Sequence, residues 1–191
     1  DTSETFVRRH MEALLPGQTA VVADHSEGPY GGHWRLEGPQ LSLHRIRGGN
    51  LKRQVWEAAI AKLGFGIETD FAKKKVRRFL ASQGVRVIMG EYLSWSLPWL
   101  EVAQSLGIPF FGHAHGFDVS LNLREDMWRT EYLKYNESAG IITVSEVSKA
   151  RLVALGLNEE KIRVIPCGVD VPIQSLDHPQ QQTVHCLAVG R

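Results

Sequence analysis

The densest chemistry lies in Phe110-Phe111-Gly112-His113-Ala114-His115-Gly116-Phe117-Asp118. An apolar run ending on glycine reads as a strand entering flexible backbone, which places His115 and Asp118 at the strand's carboxyl end. Three uses of these side chains compete. His113 and His115 are two apart, so on a strand they share a face and form a candidate metal pair of a kind known in hydrolases. The histidine and aspartate also suit hydrogen bonds to sugar hydroxyls or to anions in a cleft. The plain alternative is that both are capping or exposed loop residues. Gly90-Glu91-Tyr92 follows the preceding apolar run and faces the same edge. Its carboxylate can act as a general base or simply complement the dipole of the next helix. Ser145, after Ile141-Ile142-Thr143-Val144, lacks the G-x-S-x-G spacing of a nucleophile elbow and reads as an N-cap. Neither G-x-G-x-x-G nor Walker A spacing occurs.

Lys73, Lys74, Arg77 and Arg78 fall on one side of a predicted helix whose other side carries Ala72, Val76, Phe79 and Leu80, with Lys75 nearer the apolar edge. Such a face is either solvated or docks on anionic lipid headgroups.

These residues must be positioned by alternating strands and helices. Phe6, His10, Ala13 and Leu14 form a helical stripe with Ser3 at the N-cap position, ending at Leu15-Pro16-Gly17. Short β-rich runs follow at Thr19–Ala23 and Leu41–Ile46, then helical stripes over Leu51–Leu63 and Ala72–Leu80, the latter stopped by Gly84. Val85–Met89 reads as a strand buried on both faces. Pro98 suits the first turn of a helix that ends at Gly107, and Ile108–Gly112 is the next strand. Trp128, Tyr132, Tyr135 and Ala139 mark a helix, Ile141–Val144 a strand, Lys149–Leu155 a helix stopped at Gly156, and Ile162–Ile165 a last strand. This rhythm predicts a Rossmann-like open parallel sheet with helices on both faces, whose ligands sit at the carboxyl ends of the strands. Val171–Thr183 reads as a linker, and Val184–Val189 as a strand belonging to a further domain. The chain reads as a piece cut at both ends.

Composition bounds the alternatives. Lys+Arg number 22 against 21 Asp+Glu, a formal charge of +1, which argues against a general nucleic-acid binder. No apolar run reaches the roughly 18–20 residues that a spanning helix requires, and the opening residues are polar where a leader's apolar region would lie. Cys167 and Cys186 have no redox or metal spacing and read as small core residues of a reducing compartment. A cytoplasmic protein is expected.

Several segments together resemble the family 4 glycosyltransferases, retaining enzymes of GT-B architecture. Asp1-Thr2-Ser3-Glu4-Thr5-Phe6-Val7 is similar to the family's "sETF" turn, and Leu106-Gly107-Ile108-Pro109 with His115-Gly116-Phe117-Asp118 to its "lgiP…HG-D" pattern. Val144-Ser145 with Leu152…Leu155-Gly156 resembles "VS…L…G". Lys161–Asp170 resembles "kv-viPnGvD", with Cys167 where asparagine is usual, and Val189-Gly190-Arg191 resembles "vGR".

The resemblance implies an acceptor-side domain over residues 1–170, a linker over 171–183 and the first strand of a donor-binding domain over 184–191. It implies transfer of a hexose from a nucleotide diphosphate sugar to a saccharide or lipid-linked acceptor, with no cofactor and no metal needed for the chemistry. By position, His115 would contact the donor sugar near its 6-hydroxyl, Gly116 and Asp118 would lie beside the donor, and Arg191 would pair with the diphosphate. Ser3, Glu4 and Thr5 would present backbone N–H groups at a helix N-terminus, and Glu91 and Tyr92 would line the cleft. Lys73, Lys74, Arg77 and Arg78 would bring the enzyme to an anionic membrane. Two other readings stand beside this one: a non-catalytic carbohydrate- or partner-binding domain of the same fold, and a metal hydrolase built on His113 and His115.

Overall fold

The computed structural model describes residues 5–23, 38–43 and 70–168. The predicted helix over Leu51–Leu63, the linker, the final strand, Ser3, Glu4 and Arg191 lie outside them. Helix α1 (Thr5–Ala13) opens the described chain, followed by β1 (Val21–Ala23) and β2 (Gln40–Ser42). Next come α2 (Asp70–Ser82), β3 (Ile88–Glu91), α3 (Leu93–Ser105) and β4 (Phe110–Ala114). A short α4 (Gly116–Ser120) and α5 (Asp126–Glu131) lead through a 3-10 segment, Tyr132–Glu137, to β5 (Gly140–Thr143), α6 (Glu146–Leu155) and β6 (Ile162–Val164). Strands β3-β4-β5-β6 form one sheet in that order and β1-β2 pair separately; every pairing is parallel. The predicted mixed α/β architecture is what the chain adopts.

Two predicted strands start later than their apolar runs, and the helices before them explain why. Gly84 (φ 60°) and Gly107 (φ 64°) turn the chain left-handed. Beyond each, the next residue closes the helix behind it: the Val85 N–H donates to the Leu80 carbonyl at 3.1 Å, and that of Ile108 to Ala103 at 3.0 Å. These are Schellman closures. A donor committed to a helix end cannot start a ladder, so the strands begin at Ile88 and Phe110. Val87 is 48% exposed, which corrects the reading of Val85–Met89 as buried on both faces. Pro98 also sits deeper than predicted, in the second turn of α3, because the chain passes from β3 into the helix through Tyr92 alone. Cys167 is exposed rather than a core residue.

The helix predicted through Trp128 and Ala139 divides into α5 and the 3-10 segment. At three residues per turn, positions i and i+3 line up, and Tyr132 and Tyr135 both point inward with no exposed surface. They join Leu93, Leu97, Leu100, Phe110, Ile141, Leu152 and Ile162 in the main core. A second cluster packs α2 on α3 through Val76, Leu80 and Val102, with Leu43.

The sheet edge is built differently on its two faces. Gly90 and Gly112 are register partners. A Cβ on Gly90 would stand 2.4 Å from Ser96 Cβ, and one on Gly112 2.6 Å from the Tyr135 ring. Two hydrogens at this level therefore let α3 and Tyr135 lie directly on the strands. Side chains alternate along a strand, so the neighbours Glu91 and His113 point to the opposite face, where α1 lies.

Candidate functional site: a carboxylate ringed by three imidazoles

Glu91 and His113 are partners in the parallel register of β3 and β4, and His115 follows two residues on. Parallel pairing at about 4.8 Å and a side-chain period of two bring all three to one face at the strand ends. Helix α1 adds His10 from its last turn. Glu91 Oε1 accepts from His10 Nδ1 at 2.7 Å, and Oε2 accepts from both His113 Nδ1 and His115 Nε2 at 2.8 Å. Glu91 is mostly buried, with its side chain 18% exposed.

Burial alone would push the Glu91 carboxyl up. The hydrogen bonds from His10, His113 and His115, with the charge of His113, reverse that and hold it far below the usual carboxylate range. An ionised carboxylate only accepts, so in neutral imidazoles the proton sits on the nitrogen facing Glu91. The outer nitrogen of each ring keeps its lone pair.

Aromatic rings hold this group in place. The His115 ring lies 4.4 Å from Tyr92 and 4.7 Å from Phe6, centroid to centroid, and 4.3 Å from His113. Tyr92 adopts φ 61°, ψ 120°, a left-handed conformation that costs a non-glycine residue about 1–3 kcal/mol. The surroundings enforce it: its N–H donates to the His113 carbonyl at 3.1 Å, and its carbonyl accepts from the Ser96 N–H at 3.0 Å and the Ser96 hydroxyl at 2.8 Å. Strain in the backbone thus aims the Tyr92 ring at His115.

Residues 37–172 match the profile of Glycosyltransferase Family 4, a span covering most of the chain and all of β3, β4 and the turns after them. The chain belongs to glycosyltransferase family 4. No curated protein matches it.

Within this family 4 domain the predicted site residues have different surroundings. His115, Glu91 and Tyr92 are brought together, as described. Gly116 is exposed at the start of α4, with open space where a Cβ would stand. Asp118 turns away from that edge and has no exposed surface. Its Oδ2 accepts from the His115 N–H at 2.9 Å and its Oδ1 from the Tyr132 hydroxyl at 3.0 Å. A fully covered carboxylate presents nothing to a ligand, so the expected donor contact becomes a packing role that fixes the backbone of His115. Thr5 opens α1.

The basic helix also departs from its predicted pattern. Lys73 pairs with Glu101 and Arg77 Nε donates to Ser105 Oγ at 2.9 Å, so both are engaged by α3. The exposed basic residues of α2 are Lys74, Lys75 and Arg78, with Lys75 Nζ 5.5 Å above the Phe71 ring. No helix among the described residues is long and apolar enough to cross a membrane.

His10 is the member that sequence reading missed. By spacing it belongs to the apolar stripe of its helix, and a histidine among Phe6, Ala13 and Leu14 is the only signal the sequence carries.

Proposed function

We propose that this family 4 domain is the acceptor-side half of a retaining glycosyltransferase. It would move a sugar from a nucleotide diphosphate sugar, bound as substrate, to a saccharide or lipid-linked acceptor. One observation carries the reading: His115 at the carboxyl end of β4 is held by Glu91 in a defined tautomer. Its Nε2–H is committed to the carboxylate, which leaves Nδ1 as the ring's acceptor, and a sugar hydroxyl would replace the Asp118 N–H that it faces at the start of α4. Tyr92 and Phe6 pack beside the ring, so a sugar would meet a histidine that need not reorganise, the condition under which electrostatic contacts contribute most to a transition state.

In this reading residues 1–170 form the acceptor-side domain, 171–183 the linker and 184–191 the start of the donor-binding domain, whose Arg191 neutralises the leaving diphosphate. The exposed Lys74, Lys75 and Arg78 support approach to an anionic membrane surface, where a lipid-linked acceptor would be met.

The test is His115→Ala in the intact enzyme, after a screen of nucleotide sugars has found the donor. Transfer is expected to fall by about 30- to 1000-fold, or about 2–4 kcal/mol of activation free energy, with the circular dichroism spectrum unchanged. A variant with full activity, or one that unfolds, overturns the assignment.

A further inference from the structure

His10, Glu91 and His113 come from three separate segments, yet one ligand atom from each lies within 4.8 Å of the other two. Two imidazole nitrogens and one carboxylate oxygen form the donor set of open four-coordinate zinc sites. Tetrahedral coordination at about 2.0–2.2 Å from the metal places ligand atoms roughly 3.3–3.6 Å apart, so side-chain rotations of about an ångström would close the group around an ion. We propose that His10, Glu91 and His113 bind one zinc-class divalent cation, which ties α1 to the carboxyl ends of β3 and β4.

Three features support this. The His113 side chain is nearly buried on a central strand, and Glu91 is its register partner, so two ligands are fixed by the sheet. The third arrives on a nine-residue helix, and its ring already lies 5.3 Å from that of His113. The proton balance is also simple. For each ligating histidine the proton facing Glu91 moves to the outer ring nitrogen, and the freed nitrogen takes the metal. Neutral imidazoles therefore bind without net proton release. His115, on the same carboxylate oxygen as His113, would stand beside the fourth coordination position. Borderline nitrogen and oxygen donors favour zinc over magnesium or calcium.

The experiment uses the whole protein prepared without a polyhistidine tag, stripped with a chelator and titrated with Zn²⁺ by calorimetry. Co²⁺ serves as an optical probe of four-coordinate geometry. One equivalent of Zn²⁺ is expected, with the visible absorption of tetrahedral cobalt and a rise in melting temperature, because an ion binding only the folded state stabilises it. His10→Gln and Glu91→Gln should each weaken binding by about 100-fold, and Lys74→Gln should leave it unchanged. His10→Gln alters a partly buried side chain of α1 outside both hydrophobic clusters, so it remains a valid test should Glu91→Gln fold poorly. Absence of stoichiometric zinc in the wild type, or equal affinity in His10→Gln, would overturn the site and leave a purely hydrogen-bonded cluster. The readouts are metal content and absorption, so the outcome is independent of the sugar-transfer test.

Discussion

Glu91 and Asp118 are both largely buried carboxylates beside the same sheet edge, and they do opposite things. Glu91 accepts from three imidazoles, rings whose two nitrogens can exchange donor and acceptor roles. Asp118 accepts from a backbone N–H and from the Tyr132 hydroxyl, whose own ionisation is pushed up by burial and by the Asp118 charge. The partners of Glu91 can be altered by a ligand, a proton or an ion. The partners of Asp118 cannot change state under ordinary conditions, and Asn122 locks the tyrosine further by donating to its hydroxyl at 2.8 Å. What separates a site from a scaffold here is the chemistry of the donors, since both acids are buried and both are hydrogen-bonded.

The largest expected effect on stability follows from that difference. Asp118→Ala leaves a buried N–H and a buried hydroxyl without their acceptor and should destabilise the fold by about 2–5 kcal/mol in urea denaturation. A stable Asp118→Ala that loses only activity would erase the distinction between the two acids. Gly112→Ala should come next, at about 1–3 kcal/mol, because its new methyl meets the Tyr135 ring and Leu93. This measures how firmly the opposite face supports the Glu91 edge.

Glu91 itself should be exposed by pH. Its carboxyl titrates lower in the folded chain than its ordinary value of 4.5. Its contribution to stability is therefore complete above that value and declines as pH falls through the folded value. Urea midpoints of wild type and Glu91→Gln should differ most near neutrality and converge on acidification below about pH 4.5. A gap that widens in acid would reverse the sign and remove the imidazole-bound carboxylate from the account.

The smallest effect belongs to α2. Changing Lys74, Lys75 and Arg78 together to Gln should leave stability within about 0.5 kcal/mol while reducing co-sedimentation with anionic vesicles at low salt. Equal binding to neutral and anionic vesicles would make this an ordinary solvated face, a set of charges spread along one helix instead of converging on one point.

The alternating pattern of apolar runs, the stop glycines and the Ser145 cap were legible in the sequence because each is local. Gly84, Gly107 and Gly156 end helices within a turn of where periodicity stops, and Ser145 Oγ accepts from the Ser148 N–H at 3.2 Å. The pairing of His113 with His115 on one strand face was equally readable, since a period of two needs no tertiary information. Strand starts were not, because a Schellman closure consumes the first apolar N–H of the next run. Nor could spacing show that Asp118 turns into the core while His115, three residues earlier, stays at the edge. That depends on Tyr132 arriving from a later segment. The meeting of His10, Glu91 and His113 was hidden most completely. It requires a helix and two strands separated by up to 103 positions to converge, and only the packing of α1 over the sheet edge brings them together.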